Sequence, residues 1–231
     1  MYKQNRWSLF AAAALLVAAV VPIATAQAPA PSATASAPPL PKMPPSLTPA
    51  HVVDLMTQEG SAVFGAQWRT IEAKIVEGAA IPNAMPEYKT AYDIHPHAGE
   101  SGFDDSSWPT INAKGLAARR GGGKVSFIWY RANLTMPARI AEFETSGAMA
   151  VLKAYVDDYA EVWANGQMPR RSGYPSPATI QGLNMPNRVV LTDAVTPGEK
   201  FLIAVFGING PISVAPTNFV WFREAKVEFF R

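Results

Sequence analysis

Tyr155-Val156-Asp157-Asp158-Tyr159-Ala160-Glu161-Val162-Trp163-Ala164-Asn165-Gly166-Gln167 is the stretch that decides the fold. It reads as a strand, a tight acidic turn, a second strand and an Asn-Gly turn. Val151 to Val156 is short and apolar with one lysine, the composition of a half-buried strand. Beyond Asp158, Tyr159, Glu161 and Trp163 alternate with Ala160, Val162 and Ala164, so the two faces of the pleat carry different chemistry. Asn165-Gly166 supplies the positive φ that a two-residue hairpin turn needs.

The same signals recur on both sides. Lys124 to Met136 predicts a strand with apolar groups on both faces, ended by Pro137. Arg188 to Thr192 predicts a short strand, and Pro197-Gly198 a turn into the nearly continuous apolar run Phe201 to Ile208. Asn218 to Phe230 predicts the last strand. Its one face is Phe219, Trp221, Ala225, Val227 and Phe229, interrupted by Arg223, and its other face is Glu224, Lys226 and Glu228. Gln67 to Glu77 alternates as a strand, although Glu72 to Glu77 also suits a helix. Thr48-Pro49 has the form of a helix start, which predicts a short helix over His51 to Thr57 ending near Gly60. Gly78 to Ser107 and Met168 to Pro186 are loop-rich. Strands separated by proline-rich loops, with one short N-terminal helix, predict an all-β sandwich.

In Phe103-Asp104-Asp105-Ser106-Ser107-Trp108, Asp and Ser side chains can cap backbone donors in a turn while the two aromatics pin it to a core. Ala118-Arg119-Arg120-Gly121-Gly122-Gly123 reads as a loop with two charges. A phosphate cradle needs a helix after the glycines, and a strand follows here.

Three of these segments resemble the galactose-binding-like domain known as the sugar-binding domain of family 2 glycoside hydrolases. They are the "D-D-x-A-x-V-x-x-N-G" run from Asp157 to Gly166, the "F-D-D-S-x-W" run from Phe103 to Trp108, and Trp129-Tyr130-Arg131. The region from His51 to Arg231 is more similar still to the module that precedes the propeller in some bacterial gluconolactonase and luciferin-regenerating-enzyme family proteins. That likeness is carried by Asp54 to Gly60, Tyr92 to Gly99, Val156 to Trp163, Pro186 to Thr192 and Ala204 to Ser213. The resemblance implies a jelly-roll sandwich and a carbohydrate ligand. The family's catalytic six-bladed propeller is a separate domain outside these segments, so its metal ligands are not carried over.

Met1 to Ala26 has the form of a secretory signal: Lys3 and Arg6, an apolar run from Trp7 to Ile23, and Ala24-Thr25-Ala26 as a cleavage site. An uncleaved anchor is the other reading. Residues 27–46 are rich in Pro, Ala and Ser and predict an extended spacer, which leaves residues 47–231 as the folded domain. The expected location is periplasmic or secreted. The formal charge of the whole chain is +2. It falls to zero without Lys3 and Arg6, which gives no field to gather nucleic acid, and no membrane contact is expected beyond the signal. The 231 residues contain no cysteine, which excludes disulfides, thiol nucleophiles and thiolate metal sites.

Tyr159, Glu161 and Trp163 on one strand face suit a sugar platform, since aromatic rings stack on pyranose C–H faces and carboxylates bind hydroxyls. The alternative is a Trp163 in the core and a Glu161 paired with an arginine such as Arg131 or Arg188. Asn184, Asn187, Arg188 and Asn209 fall near strand ends, where sandwiches bind ligands and where asparagine also simply forms turns. Asp157 and Asp158, as neighbours on a strand, would point apart and make a poor acid–base pair; a turn could change that, and hydrogen bonding to loop backbone is the favoured role for them. His95 and His97 could ligate a metal only with Asp93, Glu100 or Asp104, and neither a metal nor any other cofactor is expected. No nucleophile–histidine–acid pattern is visible. The expected function is a non-catalytic carbohydrate-binding module. The alternatives are docking to another envelope protein and, by family transfer, a lactonase or glycosidase activity.

Overall fold

The computed structural model describes residues 48–80, 82, 91–168, 185–210 and 217–231. The expected signal and spacer, most of the stretch 168–186 and Asn184 lie outside the described residues.

In chain order the strands are β1 (His51–Asp54), β2 (Trp68–Glu72), β3 (Lys74–Glu77), β4 (Tyr92–His95), β5 (Thr110–Ile111), β6 (Arg120–Gly121) and β7 (Ser126–Thr135). They continue with β8 (Arg139–Ile140), β9 (Phe143–Glu144), β10 (Met149–Asp157), β11 (Tyr159–Ala164), β12 (Asn187–Thr192), β13 (Lys200–Asn209) and β14 (Phe219–Phe230). One sheet runs β1-β14-β10-β12, with β6 beside the start of β14. The other runs β11-β13-β7-β2-β5. β3–β4 and β8–β9 are two-stranded ribbons. The described pairings are antiparallel.

The two sheets face each other across one apolar layer. Ile128, Tyr130 and Leu134 of β7, Val162 of β11 and Ile203 and Val205 of β13 meet Leu152, Val156, Phe222, Val227 and Phe229 of the other sheet. Phe222 takes the edges or faces of Tyr130 and Trp68, with centroids 5.2 and 5.9 Å away. The sheets come so close at Gly207 that a Cβ there would lie 2.6 Å from Val220 Cγ1 and 3.1 Å from Val156 Cγ1. The all-β sandwich expected from the sequence is therefore present. A second apolar cluster lies on the outer face of the β7 sheet, where Trp129, Ala204 and Phe206 are covered by Ala98 and Trp108.

Four local expectations are corrected. The residues after Thr48-Pro49 form β1, which pairs with the end of β14, and the short helix α1 spans Gln58–Val63 instead. Its N-cap is Thr57, whose hydroxyl accepts from Gly60 N–H at 3.0 Å. The cap hydroxyl and the edge of β14 together outweigh the Thr-Pro signal. The acidic turn at Asp157-Asp158 does not close a hairpin, because β10 belongs to one sheet and β11 to the other. It is a corner at which the chain crosses the sandwich. The two-residue hairpin turn falls at Asn165-Gly166, with φ of 50° and 80° and a bridge between Ala164 and Gln167. In β14 the partner of Tyr155 is Glu224 and that of Val156 is Phe222, so Arg223 is an extra, bulged residue. The bulge exchanges the faces. Val220 and Phe222 point inward before it, and Ala225, Val227 and Phe229 point inward after it, so Phe219 and Trp221 do not share the face of Ala225. Lastly, two strands occupy stretches read as loop: β4 within Gly78 to Ser107 and β6 within Ala118 to Gly123.

Candidate functional site

Residues 96–108 are held over the outer face of the β7 sheet by arginines. The Arg131 side chain, 3% exposed, donates from Nε to Asp105 Oδ2 at 2.8 Å and also donates to the carbonyls of Ala98, Glu100 and Phe103. Arg69, its cross-strand neighbour, donates to the carbonyls of Ser106 and Trp108. Ser106 N–H donates to Asp104 Oδ1 at 2.9 Å, which holds the Asp104 carboxyl below its ordinary range. Phe103 and Trp108 pack ring to ring at 5.4 Å, as the sequence of the turn predicts.

Tyr159, Glu161 and Trp163 do share the outer face of β11, with Ala160 and Val162 buried on the inner face. The Trp163 indole lies beneath the backbone of Gly99, where an added Cβ would come within 2.6 Å of the ring, and its buried Nε1 has no hydrogen-bond partner. Asn187 is buried at the start of β12 and donates from Nδ2 to Ala160 O at 3.2 Å. Arg188 projects from the opposite sheet and pairs with Glu228 at 2.6 Å. Asn209 donates to Phe219 O at 2.7 Å. These candidates are thus spread over two sheets and both ends of β11, and Asn184 lies outside the described residues.

Asp157 and Asp158 meet at the corner between the sheets, the turn geometry rather than the strand one, and Asp158 accepts from the Gly210 backbone, the kind of loop hydrogen bond expected of it. Asp157 pairs with the bulged Arg223. Burial, reinforced by the hydrogen bond and charge of Asp157, pushes the Asp158 carboxyl up to about 6, while Gly210 N–H and Arg223 oppose the shift. Arg223 also lies over the Trp221 and Tyr155 rings, at 4.4 and 5.5 Å from their centroids. His97 Nε2 is 2.7 Å from Asp93 and its Nδ1 3.5 Å from Glu100, whereas His95 sits opposite Lys74 in the β3–β4 ribbon. Among the described residues no group of three His, Cys, Asp or Glu side chains could hold a metal.

A concave site forms where β2 ends, β7 begins and β6 joins β14. It is a cleft of about 420 Å³ lined by Thr70, Ile71, Glu72, Pro109, Arg119, Arg120, Gly121 and Ile128. A second hollow of about 380 Å³ adjoins it along Gly121 to Gly123 and shares Glu72, Gly121 and Ile128. Arg120 is fixed by the carbonyls of Ala118 and Gly115, at 2.9 and 2.7 Å, and lies over the Tyr130 ring. Burial pushes the Tyr130 phenol up, opposed by the Arg120 charge. Arg119 is exposed, with its guanidinium 5.0 Å from the Trp221 ring centroid. Apolar walls with a few charged groups are the usual make-up of a small-molecule site. The sequence reading placed no ligand here. The sequence of Ala118 to Gly123 predicts a loop with two charges, and the residues that share the cleft with it, Glu72 and Pro109 among them, lie elsewhere in the chain.

No family model matches the chain, and no curated protein matches it significantly. Similar solved structures include a calcium-binding mutant of Bacteroides uniformis β-glucuronidase 2, at 19% identity over 71% of this chain and 18% of that one, with a TM-score of 0.39. A Bacteroides uniformis β-glucuronidase matches at 18% identity over the same shares, with a TM-score of 0.40. A glycosyl hydrolase family 2 member from Bacteroides cellulosilyticus matches at 17% identity over 71% of this chain and 20% of that one, with a TM-score of 0.39. The chain therefore spans about one fifth of the length of these proteins. At these values the likeness places no site.

Among the described residues no helix is long and apolar enough to cross a membrane.

Proposed function

We propose that this chain is an exported, non-catalytic binding domain for carbohydrate, and that its ligand enters the cleft between β2, β7 and β6. The observation that carries this reading is the lining of the cleft. The exposed Pro109 and the half-buried Ile71 offer apolar surface of the kind that takes the C–H face of a sugar ring, while Glu72, Arg119 and Arg120 offer hydrogen bonds to hydroxyls. Its volume suits one or two sugar rings. The carboxyl with a raised pKa, Asp158, is outside this lining and is engaged with Asp157 and Gly210, which supports binding over catalysis. Export is supported by the signal-like Met1 to Ala26.

Calorimetric titration with a panel of neutral and acidic sugars tests this. Saturable binding that is lost in Glu72→Ala and kept in Trp163→Ala is the expected result. A well-folded sample that binds no sugar overturns it.

A second reading, docking of an envelope protein, draws on a different surface. Ile75 and Tyr92 are exposed on one face of the β3–β4 ribbon and Val76 on the other, with Tyr92 at 73%. Reduced co-purification of a partner by Tyr92→Ser, with sugar binding unchanged, would favour it.

A further inference from the structure

We propose that the two adjoining hollows form one groove and that its ligand is an oligosaccharide of at least three units, with Glu72 holding two successive units where the hollows meet. This rests on the binding reading above and adds the ligand's length.

The hollows are continuous, because Glu72, Gly121 and Ile128 line both. The second one exists because two strands part. β2 pairs with β7 as far as Glu72 opposite Ile128. Ala73 N–H still donates to Phe127 O at 2.8 Å, and β3 then pairs with β4 instead. The start of β7 is left without β2 beside it, and the hollow of about 380 Å³ opens there. Gly121 to Gly123 form another part of its wall. Gly121 and Gly122 have φ of 86° and 135°, and a Cβ on Gly121 would overlap the Ser126 hydroxyl, so only glycine fits. That stretch of wall carries no side chains. It offers bare peptide surface, which a ligand ring can approach closely.

Each hollow can take sugar units. The second adds the half-buried Phe127 and the 44% exposed Val125 as apolar surface beside the peptide wall. Glu72 is exposed between the two, and its carboxylate oxygens can accept from the hydroxyls of neighbouring units. The second hollow has nearly the volume of the first. A ligand that fills the first with one or two rings therefore fills the groove with three or four. A monosaccharide leaves half of it to water.

The test is calorimetric titration of the full chain with cello-, malto-, xylo- and chito-oligosaccharides, each from the monosaccharide to the hexasaccharide. In the series that binds, affinity is expected to rise at least about tenfold from the monosaccharide to the tetrasaccharide and then to level off. Val125→Trp and Val125→Glu fill the second hollow with different chemistry. Both are expected to remove that gain and to leave the monosaccharide's affinity unchanged. Val125 is exposed, so circular dichroism is expected to show an unchanged fold in both variants. An affinity that does not grow with length, or a gain that survives both variants, overturns the groove and leaves the carbohydrate reading standing. No binding in any series overturns both.

Discussion

Arg131 and Asp105 join two distant parts of the chain: Nε of Arg131 on β7 donates to Oδ2 of Asp105 at 2.8 Å, and the arginine side chain is 3% exposed. The carboxylate neutralises a guanidinium that is otherwise surrounded by main-chain carbonyls. The cover over Trp129 and Phe206 depends on that arrangement.

Removing Asp105 leaves the buried Arg131 guanidinium without its carboxylate. Asp105→Ala is expected to destabilise the fold by about 3 kcal/mol, measured by urea denaturation. Arg131→Lys is not expected to rescue the arrangement, since an ammonium cannot reach the carbonyls of Glu100 and Phe103 and the Asp105 carboxylate at once. A loss under about 0.5 kcal/mol in both variants, within the range of ordinary surface changes, would count against this account.

The two sheets approach closely at Gly207. Gly207→Ala is expected to cost about 1–3 kcal/mol through overpacking, because the new methyl meets Val220 Cγ1 at 2.6 Å. Adding Val220→Ala is expected to recover part of that loss, a coupling that a double-mutant cycle reads directly.

Asp158 carries a pH signature. Its folded pKa, about 6, lies above the ordinary carboxyl value of 3.8, so the folded state holds the proton more tightly. The group's contribution is therefore most favourable below pH 4 and is lost as pH rises through about 6. Asp158→Asn keeps a neutral, hydrogen-bonding side chain and removes that loss. Its Tm relative to the wild type is expected to rise between pH 4 and pH 7, reaching a gain of about 2–4 °C per kcal/mol recovered. A Tm difference that is flat across the range would contradict the assignment.

Trp163 separates packing from binding. Its ring is wedged under Gly99 and packs against the outer cluster, so Trp163→Ala is expected to cost about 2 kcal/mol. Sugar affinity at the cleft is expected to be unchanged, because the cleft's lining lies around β2, β6 and the start of β7. Thermal unfolding and calorimetry on one sample check both halves.

Much of the architecture was legible in local chemistry. Strict alternation marked β11, continuous apolar runs marked β7 and β13, and the Phe103 to Trp108 turn showed its capping and its aromatic pins. The failures share a cause. The helix start at Thr48 was overridden by pairing with β14, a partner far away in sequence. The face assignment along β14 changes at Arg223, because a bulge is a relation between two strands and the charge that interrupts the apolar face there does not by itself reveal it. The cleft was missed for the same reason: Glu72, Pro109, Arg119 and Ile128 become neighbours only when β2, β6 and β7 assemble.

The sequence by itself determined the strand periods, the turn chemistry and the all-β class, since backbone geometry and side-chain alternation act over a few residues. Only the tertiary structure decided which sheet each strand joins, where β14 turns over, and that Asp157 meets Asp158 at a corner rather than in a hairpin. Those outcomes follow from burial and pairing summed over the whole sandwich, and no local window of sequence contains that sum.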